Sequence, residues 1–194
     1  MKRVIGLTGG IATGKTTVAD YLADVYNLPI LDADIYAREA VAVNSPLLEQ
    51  IVKRHGEQIL LEDGSLNREK LGEIIFNQHQ ERLWIDNLIH PYVGDRLALG
   101  IKETSAETLI AVVPLLFEAS MTDLVTEIWV VSCSEKQQLE RLMQRNQLTL
   151  SQAQARISSQ MPLAQKKKKA DIVLDNSSNV EKLLQQIDIA IFQK

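Results

Sequence analysis

The sequence predicts an α/β fold in which helices flank a parallel sheet of five strands. Three observations support this prediction: short runs rich in β-branched residues occur five times, several of them lack the strict alternation of a half-exposed strand, and helical patterns separate them. Because strands that alternate with helices form βαβ units, we expect helices on both faces of the sheet. The five runs are residues 3–8, 28–33, 108–116, 127–133 and 171–175.

The composition is typical of a globular protein of one domain, or of one domain with an inserted lobe, and it argues against two classes of protein. The chain has 194 residues, of which 45% are hydrophobic and 24% are charged, enough for a core of ordinary size. Its net charge of -4 argues against a nucleic-acid partner, which usually requires a basic surface. No stretch approaches the roughly 18 uncharged apolar residues of a membrane span, and a strand pattern directly follows residues 1–3. We therefore expect no membrane partner, no signal peptide and a cytoplasmic location. The single cysteine, Cys133, ends an apolar run and is expected to be buried packing rather than a reactive thiol.

The first strand leads into a glycine-rich loop that is typical of phosphate binding. In VIGLTGGIATGKTTVADYLADVY, residues Gly9 to Thr16 match G-x-x-x-x-G-K-[ST], with a strand before the loop and an amphipathic helix after it. Such a loop curves its backbone around an anion, and the helix N-terminus adds partial positive charge. We expect N–H groups from about Ile11 to Thr17 to point inward, Lys15 to reach the β- and γ-phosphates, and the Thr16 hydroxyl to bind Mg²⁺. The predicted nucleotide-binding residues are Gly10, Ile11, Ala12, Thr13, Gly14, Lys15, Thr16 and Thr17.

Two carboxylates follow the second predicted strand. Asp32 and Asp34 stand at period two in LPILDADIYAR, near the carboxyl end of that strand. If the chain stays extended there, both side chains face the crevice where open α/β sheets bind ligands. One of them would then take a proton from an attacking hydroxyl or assist a metal ion. The alternative is that one of the two only caps the following helix, but beside a phosphate loop we favour the catalytic interpretation for the pair.

The longest stretch without a strand signal, residues 35–105, is predicted to be an inserted helical lobe. Ser45 is a suitable N-cap with Pro46 at the first helical position, and Gly56 supplies the stop. A second helix is expected to start near Asn67. A third is expected to run up to the His-Pro pair, where Pro91 disfavours continuation and would open a fourth helix. The apolar residues expected on the buried sides of these helices are Leu47, Leu48, Ile51, Val52, Leu71, Ile74, Ile75, Leu83, Trp84, Leu88, Ile89, Tyr92, Val93, Leu97 and Ile101.

Two further helices after the fourth strand are predicted to form a hairpin that acts as a lid. Ser134 with Gln137, and Thr149 with Gln152, fit capping boxes at the starts of these helices. The run KKKK at 166–169 is interpreted as a solvated helix end rather than a phosphate clamp.

Arginines on the predicted lid are candidates for stabilising a phosphoryl group. Arg141 and Arg145 are four residues apart and share a helix face, and Arg156 lies on the next helix. Phosphoryl transfer spreads negative charge over the equatorial oxygens, which guanidinium groups can stabilise. Solvated surface arginines are an equally ordinary interpretation of each residue taken alone.

The order of these blocks resembles the dephospho-coenzyme A kinase family over nearly the whole chain. The phosphate loop is common to many nucleotide-binding proteins, so the specificity comes from the blocks with DAD, HP and PLLFE in this order. The matching blocks are GLTGGIATGKTTVA, DADIYAREAV, GSLNREKLGEIIF, LIHPYV, VVPLLFE, RLMQR and ADIVLDN. The resemblance implies a P-loop NTPase-type fold and transfer of the γ-phosphate of ATP, with Mg²⁺, to the ribose 3′-hydroxyl of dephospho-CoA.

The same resemblance implies residue roles and a division of the chain. Asp34 takes the place of the catalytic carboxylate, with Lys15 and Arg141 as further catalytic residues. The remaining ATP contacts are Arg145 and Asn176, and the acceptor-binding residues are Asp32, Asp34, Arg38, His90, Leu115 and Glu118. The single kinase domain would contain a nucleotide-binding core of residues 1–34, 106–133 and 170–194, an acceptor-binding lobe of residues 35–105 and a lid of residues 134–169.

Alternatives remain for three of these residues. Glu118 contacts substrate or caps a helix, His90 contacts the acceptor or is a packed or capping histidine, and Asn176 lies near the adenine or belongs to a polar turn. The sequence also departs from the family pattern at Ala12 and near Ser178, where glycine is usual, which affects the phosphate-binding turn and the adenine pocket.

Two other functions remain open at this point. Another P-loop small-molecule kinase, of the nucleoside, nucleotide or shikimate type, would share the loop and the lobes. A GTP-dependent switch protein is less favoured because the chain lacks an N-K-x-D motif and a D-x-x-G element after a strand. The expected partners are ATP and dephospho-CoA, and the expected assembly is a monomer or a weak homo-oligomer.

Overall fold

Strands and helices alternate along the part of the chain that the structure, a computed structural model, describes, which is residues 2–193. The strands are β1 (Arg3–Gly9), β2 (Ile30–Asp32), β3 (Thr108–Val112), β4 (Glu127–Ser132) and β5 (Ile172–Asp175). The helices are α1 (Lys15–Tyr26), α2 (Ala33–Ala40), α3 (Pro46–His55), α4 (Arg68–Asn77), α5 (His79–Glu103), α6 (Glu135–Asn146), α7 (Leu150–Ser158), α8 (Leu163–Lys168) and α9 (Val180–Phe192). Short 3₁₀ helices lie at Glu57–Ile59 and Thr122–Leu124. Within this part of the chain, no helix is long and apolar enough to cross a membrane.

The five strands found within residues 2–193 form one sheet in the order β2-β3-β1-β4-β5, and each pair of neighbours is parallel. This arrangement confirms the predicted α/β class. β1 lies at the centre, with β2 and β3 on one side and β4 and β5 on the other. In open α/β sheets, ligands bind outside the carboxyl ends of the strands at the point where the strand order reverses. The glycine-rich loop leaves the sheet at this point.

Two predicted strands are shorter in the structure than the sequence indicated. β2 covers only Ile30–Asp32, and β3 ends at Val112 rather than at residue 116. Pro114 has no backbone N–H to donate to a neighbouring strand, which prevents the regular ladder from continuing through it. The chain turns after this proline, so Leu115 and Glu118 lie in a turn region rather than in the strand.

The chain divides into two compact units, Met1–Asp32 with Gly100–Lys194, and Ala33–Leu99. The first unit contains the sheet, and its main core forms where α1 and α9 pack against the central strands. Leu7, Leu22 and Trp129 in this core are fully enclosed. Burial of one such side chain contributes about 1.5–3 kcal/mol. The phosphate loop therefore connects a strand and a helix that both belong to a well-packed core.

The second unit, Ala33–Leu99, is helical and has a core of its own. α3 begins and ends where the sequence predicted: the Ser45 hydroxyl accepts a backbone N–H of the first turn at 3.1 Å, Pro46 is the first helical residue, and Gly56 follows the last. The predicted start of α4 at Asn67 is also confirmed. The buried residues of this core are Ala40, Val41, Leu48, Ile51, Ile59, Leu66, Leu71 and Ile85.

The helix break predicted at the His-Pro pair was wrong. α5 runs from His79 to Glu103 with Pro91 inside it. Pro91 is exposed, whereas Ile85, Val93 and Leu97 on either side of it are buried. An internal proline costs a helix about 3 kcal/mol. Burial of apolar side chains on both sides of the proline offsets that cost, and one continuous helix forms instead of two.

Both predicted capping boxes are present. The Ser134 hydroxyl accepts the N–H of Gln137, and the Gln137 side chain accepts the N–H of Ser134, at the start of α6. Thr149 and Gln152 make the same reciprocal pair at the start of α7. These bonds fix the first turns of the two helices that the sequence predicted as a hairpin.

Candidate active site

The loop between β1 and α1 has the backbone of a phosphate-binding turn. Ala12 and Gly14 have positive φ angles of 60° and 104°, and α1 begins immediately afterwards at Lys15. The N–H groups at the start of a helix lack intrahelical acceptors and, with the helix dipole, attract anions. Ala12 takes a left-handed conformation that costs a residue with a Cβ roughly 1–2 kcal/mol. The turn is therefore retained although alanine replaces glycine.

The Lys15 side chain lies along this loop. Its Nζ donates to the carbonyl oxygen of Gly10 at 2.8 Å. The buried Thr13 hydroxyl donates to the same oxygen at 2.9 Å. Thr16 and Thr17 follow in the first turn of α1 with exposed side chains. The first turn of α1 thus contains the Lys15 ammonium group and the hydroxyl groups of Thr16 and Thr17.

The peptide groups flanking Ile11 are held by two glutamine side chains that sequence reasoning did not identify. The Ile11 N–H donates to Oε1 of Gln160 at 3.0 Å, and the Ile11 carbonyl accepts from Nε2 of Gln138 at 2.8 Å. In this structure a side chain already binds the Ile11 N–H, so the predicted contact of this group with phosphate stays a prediction. Gln138 is almost fully buried, and its place on the inner side of α6 was the only sequence signal for it.

Asn176 and Arg141 meet beside the phosphate loop. Asn176 follows β5, and its Nδ2 donates to the carbonyl oxygen of Thr13 at 2.9 Å. Nη2 of Arg141, on α6, donates to the carbonyl oxygen of Asn176 at 3.1 Å. Arg145, one turn further along, is exposed, and its Nε donates to Oδ1 of Asn146 at 3.0 Å. The two arginines of α6 therefore differ in their surroundings: a hydrogen bond connects Arg141 to a residue beside the loop, whereas Arg145 bonds to its neighbour in the chain.

The two predicted carboxylates do not share one extended strand. β2 ends at Asp32, and Asp34 lies in the first turn of α2. The period-two argument was wrong because it required strand geometry through residue 34, whereas α2 begins at Ala33. Asp34 is exposed at a helix N-terminus, where the helix dipole favours a negative charge.

Glu118 binds a lysine that we expected to be in solvent. Lys166 is fully buried, and its Nζ lies 2.9 Å from Oε1 of Glu118, whereas residues 167–169 are exposed as predicted for the lysine run. The same carboxylate oxygen accepts the N–H of Met161 at 2.9 Å. Glu118 is therefore an acceptor in a buried ion pair, and Leu115 lies half-buried in the same turn region. The only sequence signal for Lys166 was its helical spacing from Leu163.

In the helical unit, the expected acceptor residues Arg38 and His90 have different neighbours. Arg38 is exposed on α2, and its positive charge lowers the pKa of Arg68 on α4, after burial as the larger cause. Sequence reasoning did not single out Arg68. Nε2 of His90 lies 3.7 Å from Oδ1 of Asp86, one turn earlier on α5. The two guanidinium groups are therefore close enough for the charge of Arg38 to affect Arg68.

Cys133 is buried directly after β4, as expected. Burial raises the pKa of its thiol, and the positive charge of Arg141 opposes this shift only in part. A thiol with a raised pKa is mostly protonated at neutral pH and is a poor nucleophile. The cysteine therefore serves as packing.

Two oxygen donors, one at the start of α1 and one at the end of β2, are of the kind that binds a magnesium ion carried by a nucleotide. Across residues 2–193, no group of three or more His, Cys, Asp or Glu side chains is placed to hold a metal ion. Mg²⁺ at nucleotide sites commonly binds one or two protein oxygens, substrate phosphates and water. The Thr16 hydroxyl at the start of α1 and the Asp32 carboxylate at the end of β2 are donors of this kind.

Comparisons with known proteins identify the family. A family model described as Dephospho-CoA kinase matches residues 3–182. The dephospho-CoA kinase of Trichormus variabilis is 64% identical over 190 residues, which cover 98% of this chain and 97% of the relative. Two solved structures, of a Thermus thermophilus protein and of the dephospho-CoA kinase from Campylobacter jejuni, have TM-scores of 0.83 and 0.71. Each is 28% identical and covers 98% of this chain and 96% of the other. These matches confirm the resemblance drawn from the sequence blocks. The chain belongs to the dephospho-CoA kinase family.

Proposed function

We propose that this protein transfers the γ-phosphate of ATP to the ribose 3′-hydroxyl of dephospho-CoA and so completes the synthesis of coenzyme A. The observation that carries the proposal is the phosphate loop at the centre of the sheet, in a chain whose residues 3–182 match the dephospho-CoA kinase family. The relative named for this activity covers 98% of the chain at 64% identity, which supports the same acceptor for both.

The loop and the start of α1 bind the triphosphate. The N–H groups from Ala12 to Thr17 and the dipole of α1 face the phosphate oxygens. Lys15 exchanges its bond to the Gly10 carbonyl for bonds to the β- and γ-phosphates. Thr16 and Asp32 would hold Mg²⁺, which supplies positive charge to the β- and γ-phosphates when it is bound.

Asp34 is the acceptor of the proton in this proposal. As the ribose 3′ oxygen forms its bond to the γ-phosphorus, the bond from that phosphorus to ADP breaks, and the hydroxyl proton passes to the Asp34 carboxylate. The N-terminal end of α2 stabilises the ionised carboxylate before transfer. A positioned base of this kind contributes about 10²–10⁴-fold to the rate.

Arg141 stabilises the charge of the transferring phosphoryl group. Its bond to the Asn176 carbonyl, next to the Asn176–Thr13 contact, holds the guanidinium beside the loop before substrate binds. Arg145 is exposed and would approach ATP when residues 134–169 act as a lid. Closure of the lid would exclude water, which otherwise competes with the acceptor hydroxyl. Asn176 would lie on the adenine side.

The helical lobe, residues 35–105, binds dephospho-CoA. Arg38 and Arg68 are two cations with an unfavourable mutual interaction that a phosphate group would relieve, which supports a role in binding the acceptor diphosphate. His90, paired with Asp86, and the turn containing Leu115 and Glu118 complete the proposed acceptor contacts. The nucleotide-binding core comprises residues 1–34, 106–133 and 170–194. We also propose a cytoplasmic monomer or weak homo-oligomer with no nucleic-acid partner.

An acceptor screen tests this function. Purified protein with ATP and Mg²⁺ should phosphorylate dephospho-CoA with a much higher kcat/KM than AMP, CMP, adenosine or shikimate, and phosphorus NMR should place the new phosphate on the ribose 3′ position. Asp34→Asn should lower kcat by about 10²-fold or more with little change in ATP affinity, whereas Asp24→Asn, at an exposed carboxylate on α1, should behave as wild type.

Different failures lead to different conclusions. A higher kcat/KM for AMP or shikimate would overturn the acceptor and leave a P-loop kinase of another type. Tight GTP binding without phosphorylation of any acceptor would favour the switch protein. Comparable losses of kcat and ATP affinity in Asp34→Asn would assign that carboxylate to the metal site instead.

A further inference from the structure

Within the described part of the chain, Ile11 is the one residue of the phosphate loop whose backbone N–H and carbonyl both form hydrogen bonds to glutamine side chains. Gln160 accepts its N–H at 3.0 Å, and Gln138 donates to its carbonyl at 2.8 Å. The N–H belongs to the peptide between Gly10 and Ile11, and the carbonyl belongs to the peptide that carries the Ala12 N–H. Rotation of either peptide would therefore break one of these bonds. Gln138 thus fixes the peptide that carries the Ala12 N–H, and Gln160 fixes the peptide before it.

Gln160 is held in turn by the buried ion pair. The next residue, Met161, donates its N–H to Oε1 of Glu118 at 2.9 Å, and the Lys166 ammonium lies 2.9 Å from the same oxygen. Lys166 has no exposed surface. A buried ammonium needs a close partner, which holds Glu118 in place. A shift of the segment that carries Gln160 would break the bond from Met161 to this fixed carboxylate.

The same lysine is also linked, through Pro114, to the residue that precedes the loop. Nζ of Lys166 donates to the carbonyl oxygen of Pro114 at 2.9 Å, and the hydroxyl of Thr8 donates to that oxygen at 3.2 Å. Thr8 is fully buried and directly precedes the loop. A continuous series of contacts therefore connects Thr8 to Ile11. It runs through Pro114, Lys166 and Glu118 to Met161 and its neighbour Gln160, which binds the Ile11 N–H.

The geometry points to Gln160 as a positioning residue for ATP, held in place by the Glu118–Lys166 pair. Gln160 is not a phosphate ligand. It fixes the backbone at Ile11, so that the following N–H groups already face the phosphates before ATP arrives, and binding then requires less reorganisation. This inference rests on the proposed nucleotide site but not on the identity of the acceptor.

The competing interpretation predicts the opposite sign. If ATP must displace Gln160 from the Ile11 N–H in order to bind there, removing the Gln160 acceptor would strengthen ATP binding. If the glutamine and the ion pair only stabilise the fold, their loss would lower the melting temperature and leave the ATP affinity of the folded protein unchanged.

Calorimetric titration with ATP and Mg²⁺, without acceptor, distinguishes these cases. Gln160→Met keeps the length of the side chain and removes the acceptor, and it should weaken ATP binding about tenfold, the loss of roughly one hydrogen bond. Gln165→Met, at an exposed glutamine on α8, is the matched control and should bind ATP as wild type does. An unchanged or tighter Kd for Gln160→Met would overturn the proposal.

A second set of variants tests the link to the ion pair. Glu118→Leu with Lys166→Met replaces both charges by apolar groups of similar size, a change that buried pairs often tolerate. This double variant should also weaken ATP binding about tenfold, and adding Gln160→Met should cause little further loss because all three residues act on one backbone segment. Losses that multiply would refute the link. Failure to phosphorylate dephospho-CoA would refute the proposed function alone, since these titrations contain no acceptor.

Discussion

Replacing Gly14 by alanine should destabilise the protein because two penalties coincide at this position. Gly14 has a φ of 104°, outside the range that residues with a Cβ readily adopt. A Cβ built there would also overlap Nδ2 of Asn176, which is the atom that donates to the Thr13 carbonyl. The alanine therefore strains the backbone and displaces a hydrogen-bonded side chain.

The magnitude follows from these two effects. The positive φ costs roughly 1–2 kcal/mol, and the lost hydrogen bond costs about 1 kcal/mol. The smaller conformational freedom of alanine in the unfolded chain returns about 0.4–1 kcal/mol. The net loss in the free energy of unfolding is about 1–2.5 kcal/mol, which lowers the melting temperature by about 2–10 °C for a chain of this size.

Thermal denaturation followed by circular dichroism measures this effect against a matched control. Gly72 lies inside α4, and apart from its chain neighbours and its own helix backbone no atom lies within 4 Å of a built Cβ, so Gly72→Ala should raise stability by about 0.5–1 kcal/mol. Combining Gly14→Ala with Asn176→Ala should give less than the sum of the single losses, because both remove the same hydrogen bond. Unchanged stability of Gly14→Ala, or strict additivity, would refute the argument.

Three further predictions concern single side chains. Lys15→Ala should nearly abolish phosphoryl transfer while its circular dichroism spectrum stays native. The control Lys167→Ala, at an exposed lysine, should not affect turnover. Near-normal turnover of Lys15→Ala would show that Lys15 has no role in the mechanism. Arg141→Ala and Arg145→Ala should each lower kcat clearly and the melting temperature only slightly. The larger loss of kcat is expected at Arg141, which is hydrogen-bonded to Asn176. A lower melting temperature with normal activity per folded molecule would show that the arginines are structural. The hydrogen bond to Asp188 is the largest cause that raises the pKa of Tyr26 to about 12. The stability that this bond contributes is fully present below pH 10.0 and should be lost as the pH rises from there towards 12. Ultraviolet titration of Asp188→Asn should show a lower midpoint for phenolate formation.

Local signals in the sequence predicted elements whose limits depend on local chemistry. Ser45, Pro46 and Gly56 determined α3, since a cap, a fixed φ and a stop act on neighbouring residues only. The capping boxes of α6 and α7 were found for the same reason. The helix break predicted at Pro91 was wrong because it used a local helix rule. The burial of side chains on both sides of this proline depends on the folded helical unit, which such a rule does not include.

The candidate site was predictable in its motif and not in its supporting contacts. The phosphate loop is contiguous, so its strand, turn and helix can be read from one stretch of sequence. The partners Gln138 and Gln160 come from distant segments and are recognisable only once the backbone at Ile11 is located. Among four consecutive lysines, composition cannot indicate that Lys166 is the buried one, because its burial depends on Glu118 and Pro114.

The central place of β1 in the sheet also determines when the nucleotide site can assemble during synthesis. Arg3 in β1 pairs with Thr108 in β3, and Ile5 pairs with Glu127 in β4, so both neighbours of the first strand leave the ribosome long after it does. Until then β1, which precedes the loop, has neither of its neighbouring strands. Strand pairings between residues this far apart in the sequence also form slowly. The helical unit Ala33–Leu99, which has its own core, is synthesised in the meantime. The apolar β1 segment is therefore without its two neighbouring strands for most of translation, which is the period in which it is exposed to aggregation.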